Sequence, residues 1–132
     1  MKNEHGSRKQ QLLVWAAAMV LCVFLYTHWR VHHPDVPDEI VGTWTTSDGP
    51  YAGRTLEIGP ETVNFGTGQG RVSTGFIYNV QEIPDGAKVL YTLSYTVSGS
   101  REHVSFYYDR HGNKTIRFRH QNKIVWVKTE GS

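Results

Sequence analysis

The chain has one cysteine, Cys22, and it lies inside an apolar run. No intrachain disulfide can form, so whatever folds in water is held by packing and strand pairing alone. An excess of one charge is also missing from most of the chain. Of 14 Lys and Arg against 12 Asp and Glu, the surplus of two cations comes from the first 37 residues, and from Asp38 onward ten bases and ten acids cancel. A neutral domain has no long-range field to draw nucleic acid, so that partner class is excluded. Catalytic signatures are missing too. There is no G-x-S-x-G, and the histidines beyond the first third are His103, His111 and His120, with His111 inside the turn-like DRHGN. His28, His32 and His33 have no cysteine beside them and read as solvated. Gly66-Thr67-Gly68-Gln69-Gly70 resembles a phosphate cradle only superficially, because strands rather than a helix are expected on both sides. No catalytic residue, cofactor-binding residue or metal ligand is assigned, no cofactor is expected, and the chain does not read as an enzyme.

What is present begins with one long hydrophobic run. Residues 12–29, bounded by Leu12 and Trp29, read LLVWAAAMVLCVFLYTHW without a single Asp, Glu, Lys or Arg. These 18 positions span roughly 27 Å as a helix, close to a hydrocarbon core of about 30 Å. Tyr26 and Trp29 stand at one end, where amphipathic rings favour the interface, and Arg30 follows. The expectation is a transmembrane signal-anchor over 12–30, retained because bulky Phe24, Leu25 and Tyr26 occupy the exit where a cleavage site needs small residues. Lys2, Arg8 and Lys9 precede the run, while Asp35, Asp38 and Glu39 follow it. The positive-inside rule then leaves residues 1–11 in the cytoplasm and places the rest in the periplasm, on the far side of the cell (inner) membrane.

Residues 31–41, VHHPDVPDEIV, hold two prolines and several acids and read as an extended spacer. From residue 42 turn signals cut the chain at short intervals: SDGPYAG, GPE, GTGQG, PDG, SGS, DRHGN and QN. Strands are predicted over 42–46, 54–58, 62–65, 71–82, 88–97, 102–108, 115–120 and 123–128. Eight strands in succession, with no room for a crossover helix, specify an antiparallel meander. Val89, Tyr91 and Leu93 alternate with polar residues, as do Val104, Phe106 and Tyr108, and Ile116 and Phe118. One apolar face in so short a chain has to curl over itself, which predicts an all-β domain over 42–132 closed as a barrel. Trp44, Phe65, Phe76, Tyr78, Tyr91, Tyr95, Phe106, Tyr108, Phe118 and Trp126 are expected to fill its interior.

Gly42-Thr43-Trp44, opening the first strand, resembles the G-x-W signature of lipocalin-like (calycin) barrels. The resemblance implies that Trp44 packs across the barrel base near a basic residue of the last strand, a place Lys128 or Arg119 could take. The run from GTW through YAGRTLEI and VNFGTG is also similar to uncharacterised bacterial membrane-anchored proteins, which supplies no activity.

If the interior is filled, recognition falls to the surface. Arg117 and Arg119, two apart on an expected strand, share an outward face that could meet an anionic partner. The expected function is that of a membrane-tethered, extracytoplasmic binding or scaffolding module. Its partners would be the lipid bilayer, through Leu12, Trp29 and the residues between them, and an extracytoplasmic protein or envelope component. A lipocalin-like small-ligand carrier, and a periplasmic enzyme or enzyme inhibitor, remain as alternatives.

Overall fold

The computed structural model describes residues 4–32 and 34–129; Lys2 and His33 lie outside them. The chain divides into two compact units, Met1–His33 and Pro34–Ser132.

The first unit is helix α1, Glu4–His32. Within it Ser7–Trp29, 23 residues of mean hydropathy 1.9, is long and apolar enough to cross a membrane. At about 1.5 Å per residue it reaches roughly 34 Å, more than a hydrocarbon core needs. Leu12, Val14, Trp15, Val20 and Phe24 are all exposed along it. By length and composition such a helix suits an anchor or a signal sequence.

The second unit contains eight strands: β1 Gly42–Thr45, β2 Thr55–Ile58, β3 Thr62–Gly66, β4 Val72–Asp85, β5 Lys88–Val97, β6 Ser100–Asp109, β7 Thr115–Phe118 and β8 Trp126–Thr129. Each pairs antiparallel with the next, and β8 returns to β1 through Thr43↔Thr129, Trp44↔Lys128 and Thr45↔Val127. The result is the closed eight-stranded meander barrel expected, preceded by one apolar helix. Residues 67–71 form a loop between β3 and β4, closed by Thr67 N–H donating to Arg71 O at 3.0 Å. Ser98 and Gly99, at φ 49° and 80°, make the tight β5–β6 turn. β8 begins three residues later than predicted, because Ile124 N–H donates to Gln121 O at 3.1 Å and holds that stretch in a turn.

The core is Trp44, Leu56, Ile58, Val63, Ile77, Val89, Tyr91, Leu93, Phe106, Tyr108, Ile116 and Trp126, with two residues from before β1, Val36 and Ile40. The predicted alternation holds on β5 and β6, where Val89, Tyr91, Leu93, Phe106 and Tyr108 are buried. It fails on β4. Phe76 and Tyr78, expected inside, are 62% and 48% exposed, while Gly75 and Ile77 face inward. Gly75 explains the parity: a Cβ there would stand 2.4 Å from Cδ2 of Tyr95, so the Tyr95 ring fills the space that a side chain on β4 would need. A bulge between Ile77 and Asn79 then shifts the register, which returns Val80 to the core side opposite Leu93.

Antiparallel succession puts the β1–β2, β3–β4, β5–β6 and β7–β8 connections at one end of the barrel, the rim. The start of β1 and the other three connections lie at the opposite end. There residues 36–40 form a strap. The segment expected to be a spacer turns at 38–40, with Ile40 N–H donating to Pro37 O at 3.1 Å, and inserts Val36 and Ile40 into the core.

Candidate functional site

Three places on the barrel bring chemistry-bearing side chains together: the strap end, the outer wall of β6 and β7, and the rim.

At the strap end the indole of Trp44 is fully buried and its Nε1–H donates to Ile40 O at 3.0 Å. Lys128 Nζ stands 5.2 Å from the centre of that ring and donates to Glu39 O at 3.0 Å. The structure therefore brings Trp44 and Lys128 together through a cation–π contact, typically worth about 0.5–1 kcal/mol near a surface. Arg119 does not share this place; it lies past the other end of β7, towards the rim. Gly42, at φ 145°, passes beneath the Lys128 stem, where an added Cβ would meet Lys128 Cε at 3.0 Å. Glu39 completes the closure. Its carboxylate accepts from Tyr91 Oη–H and from Arg110 Nη2 at 2.6 Å and Nε at 3.1 Å, while Nη2 also reaches Glu82 at 3.1 Å. The Arg110 hydrogen bonds hold the Glu39 carboxyl below its ordinary value of 4.5, against the opposing effect of burial. Burial, together with the hydrogen bond to Glu39, pushes the Tyr91 hydroxyl well above the usual tyrosine range. Every strong group here is occupied by another, so the arrangement locks the strap rather than presenting a reactive atom.

On the wall, Arg117 lies on β7 opposite Tyr107, and its Nη1 donates to Asn122 O at 2.9 Å. Arg119 follows the end of the strand, with its backbone N–H bonded to Ser105 O at 3.0 Å. The two arginines line different depressions. Arg117 sits with Lys88, Tyr107 and Asp109, whereas Arg119 sits with His103, Ser105 and His120 in a shallow one of about 340 Å³. β7 ends at Phe118, and the backbone bond from Arg119 N–H to Ser105 O carries the pairing with β6 one residue further.

At the rim, the β1–β2 segment, with its short helix η1 Gly49–Tyr51, meets the β7–β8 segment. Thr46 Oγ1 donates to Val125 O at 2.8 Å, Val125 N–H donates to Asp48 Oδ2 at 3.0 Å, and Gln121 Nε2 donates to Tyr51 Oη at 2.5 Å. Between them lies a depression of about 170 Å³, walled by Tyr51, Leu56, Phe65, Phe118 and Trp126. Phe118 and Trp126 meet edge to face at 5.4 Å. Trp126 is 4% exposed, and its Nε1–H has no acceptor. An unpaired buried donor costs about 1–3 kcal/mol. Arg54 lies over the Tyr51 ring at 4.9 Å and has no carboxylate partner among the described residues.

Sequence reasoning missed Glu39, Arg110 and the rim. Glu39 and Arg110 are 71 positions apart, and each sits in a stretch whose composition reads as solvated. The one available signal was the four-residue spacing of Val36 and Ile40 between acids, which suits a turn with two apolar anchors. No protein-family model, curated protein or solved structure matches this chain.

Proposed function

We propose that the protein is a non-catalytic binding or scaffolding module, tethered to the bacterial inner membrane by α1 with its barrel on the periplasmic side. The observation that carries this reading is the filled interior. Trp44, Tyr91 and Phe106 are all fully buried inside an eight-stranded barrel, a size whose lumen side chains alone can occupy. Recognition then falls to the wall and the rim. Tethering supports the same reading, because confinement to a membrane surface raises the effective concentration of such a module for partners there. Arg8 and Lys9 ahead of the apolar stretch, and the acids at Asp35 and Asp38 after it, favour an N-terminus in the cytoplasm.

Two measurements test the reading. Alkaline phosphatase fused after Ser132 is expected to be active and membrane-bound, whereas a cytoplasmically active fusion partner or a released, shortened barrel would refute the tethered topology. In vivo crosslinking of the Arg117→Ser, Arg119→Ser variant is expected to lose partner adducts while the fold is kept. Unchanged adducts would assign both arginines to solubility.

A further inference from the structure

We infer that β6 takes up the carboxyl-terminal tail of a partner protein as an added parallel strand, with the terminal carboxylate in the notch where β7 leaves β6. The inference rests on the binding-module reading and gives it a partner class. It begins with an unpaired edge. Ser98 and Gly99 make the β5–β6 turn with both φ positive, the two-residue form whose flanking pair, here Val97 and Ser100, exchanges backbone hydrogen bonds. Antiparallel pairs alternate, so Glu102, Val104 and Phe106 bond back to β5 through Tyr95, Leu93 and Tyr91. Arg101, His103, Ser105 and Tyr107 then turn their N–H and C=O groups the other way. The bond from Arg119 N–H to Ser105 O, at 3.0 Å, follows the same parity. β7 covers β6 only from Ser105 onward, because Gln121 N–H donates to Phe118 O at 3.0 Å and turns the chain away. The main-chain groups of Arg101 and His103 are left without a partner strand, and both residues are exposed. The Arg101 side chain leans back over Tyr78 at 5.7 Å and does not cover this edge. β4 has an unpaired edge too, beyond Ile77, but there Pro84 lacks a donor and Glu82 is held by Arg110.

The notch decides what ends there. The shallow depression of about 340 Å³ at this fork is lined by His103, Arg119 and His120 and by no Asp or Glu. None of those three side chains has a hydrogen bond or ion pair among the described residues. Because β7 occupies the edge from Ser105 onward, a strand laid beside Arg101 and His103 has to end or turn off at that point. An ammonium terminus would be repelled by the Arg119 guanidinium, whereas a carboxylate gains charge-assisted hydrogen bonds from it and from the imidazoles. Only a strand running in the direction of β6, from the rim towards the strap end, brings its carboxyl end to Ser105. In a parallel pair the last residue then donates its N–H to His103 O and turns its side chain to the face of Val104 and Phe118. Those two residues form the apolar part of the same depression. The occupant is therefore an extended tail ending in an apolar residue and a free carboxylate, held by main-chain pairing and capture of the terminal charge.

The test uses the full chain, 15N-labelled and in detergent micelles, with the N-acetylated pentapeptide Thr-Val-Thr-Thr-Leu bearing a free carboxyl end as the probe. The Arg101 and His103 amide signals are expected to shift saturably and to gain protection from hydrogen exchange, while the Trp44 indole signal stays in place. The carboxyl-amidated peptide should bind about tenfold more weakly, and so should the acid peptide to Arg119→Gln, each losing one charge-assisted contact. Arg119→Gln keeps the backbone bond to Ser105, and the Trp44 signal reports its fold. An ester in place of the last amide removes only the N–H meant for His103 O and should weaken binding about fivefold. Equal binding of the acid and amidated peptides, no response at Arg101 and His103 with millimolar peptide, or the same shifts with acetate alone would each overturn the inference. So would shifts at those amides that follow protein concentration without peptide, since they would give the edge to a second copy of the chain. No peptide response, with crosslinks still lost in the Arg117→Ser, Arg119→Ser variant, would overturn this site alone and leave the binding-module reading standing.

Discussion

Trp44 and Trp126 sit on neighbouring strands of one barrel, are both at least 96% buried, and are used in opposite ways. Trp44 points its work at the strap end: its N–H holds Ile40 O, its ring lies under Lys128, and its edge meets Tyr108 at 6.2 Å. Trp126 lines the rim depression with part of its ring, while its N–H is buried and has no acceptor. The same side chain is a fastener at one end and a buried, unpaired donor at the other. The difference lies in what arrives from outside the sheet. The strap brings a backbone carbonyl to Trp44, whereas the rim segments bond to each other across Trp126 and bring it none.

The largest expected effect is at the fastener. Trp44→Ala should destabilise the barrel by about 3–5 kcal/mol, read as a sharp fall in the thermal midpoint. A variant that melts like the parent would break the comparison at its root. The conservative pair sharpens it. Trp44→Phe leaves Ile40 O without its partner, an added cost of about 1–3 kcal/mol that Trp126→Phe avoids, since that change removes a donor already unpaired. Chemical denaturation of the two should therefore give clearly different midpoints, with Trp44→Phe the lower, and equal midpoints would show that the two indoles are energetically alike. Gly75→Ala tests the rim from behind. Tyr95 must move off Gly75 towards Phe65, which lies 5.7 Å away ring to ring. Overpacking of this kind costs about 1–3 kcal/mol, and Gly75→Ala, Tyr95→Leu should recover part of it.

The smallest effect is the one set by pH. The folded-state value of Glu39 lies below its ordinary 4.5, so on acidification the unfolded chain takes the proton first. The stability this carboxylate contributes is complete above the ordinary value and is lost as pH falls through the depressed one. Between about pH 5 and pH 3 the parent's melting temperature should therefore fall more steeply than that of Glu39→Gln. Parallel curves would remove Glu39 from the account of the strap end.

Several of these features could be read from residue order and others could not, for physical reasons. Turn residues between short alternating runs mark all eight strands, because Gly, Asp, Asn and Ser act locally. The inward set on β5 and β6 follows from a period of two, undisturbed in Val89, Tyr91, Leu93 and in Phe106, Tyr108. β4 escapes the same logic because its parity is decided by a side chain from another strand: Tyr95 occupies the space above Gly75, and the bulge at Tyr78 then resets the count. The strap escapes because prolines and acids around Val36 and Ile40 look like a spacer until a barrel end exists to receive them. The rim contacts join residues as far apart as Tyr51 and Gln121, 70 positions, and nothing local encodes them.

The seam between β1 and β8 has a consequence for how the barrel is made. All other pairings join strands consecutive in the chain, while the seam joins residues such as Thr43 and Thr129, 86 positions apart. Neighbouring hairpins form quickly, but the seam needs a long loop to close before its few bonds are gained. During synthesis β1 emerges first and β8 last, so a growing chain holds an open curved sheet with two unpaired edges. Such edges are templates for a second copy. The four residues of β8 thus act as a timer: crowding of nascent chains, or a slow final stretch of translation, favours edge-to-edge dimers over closure.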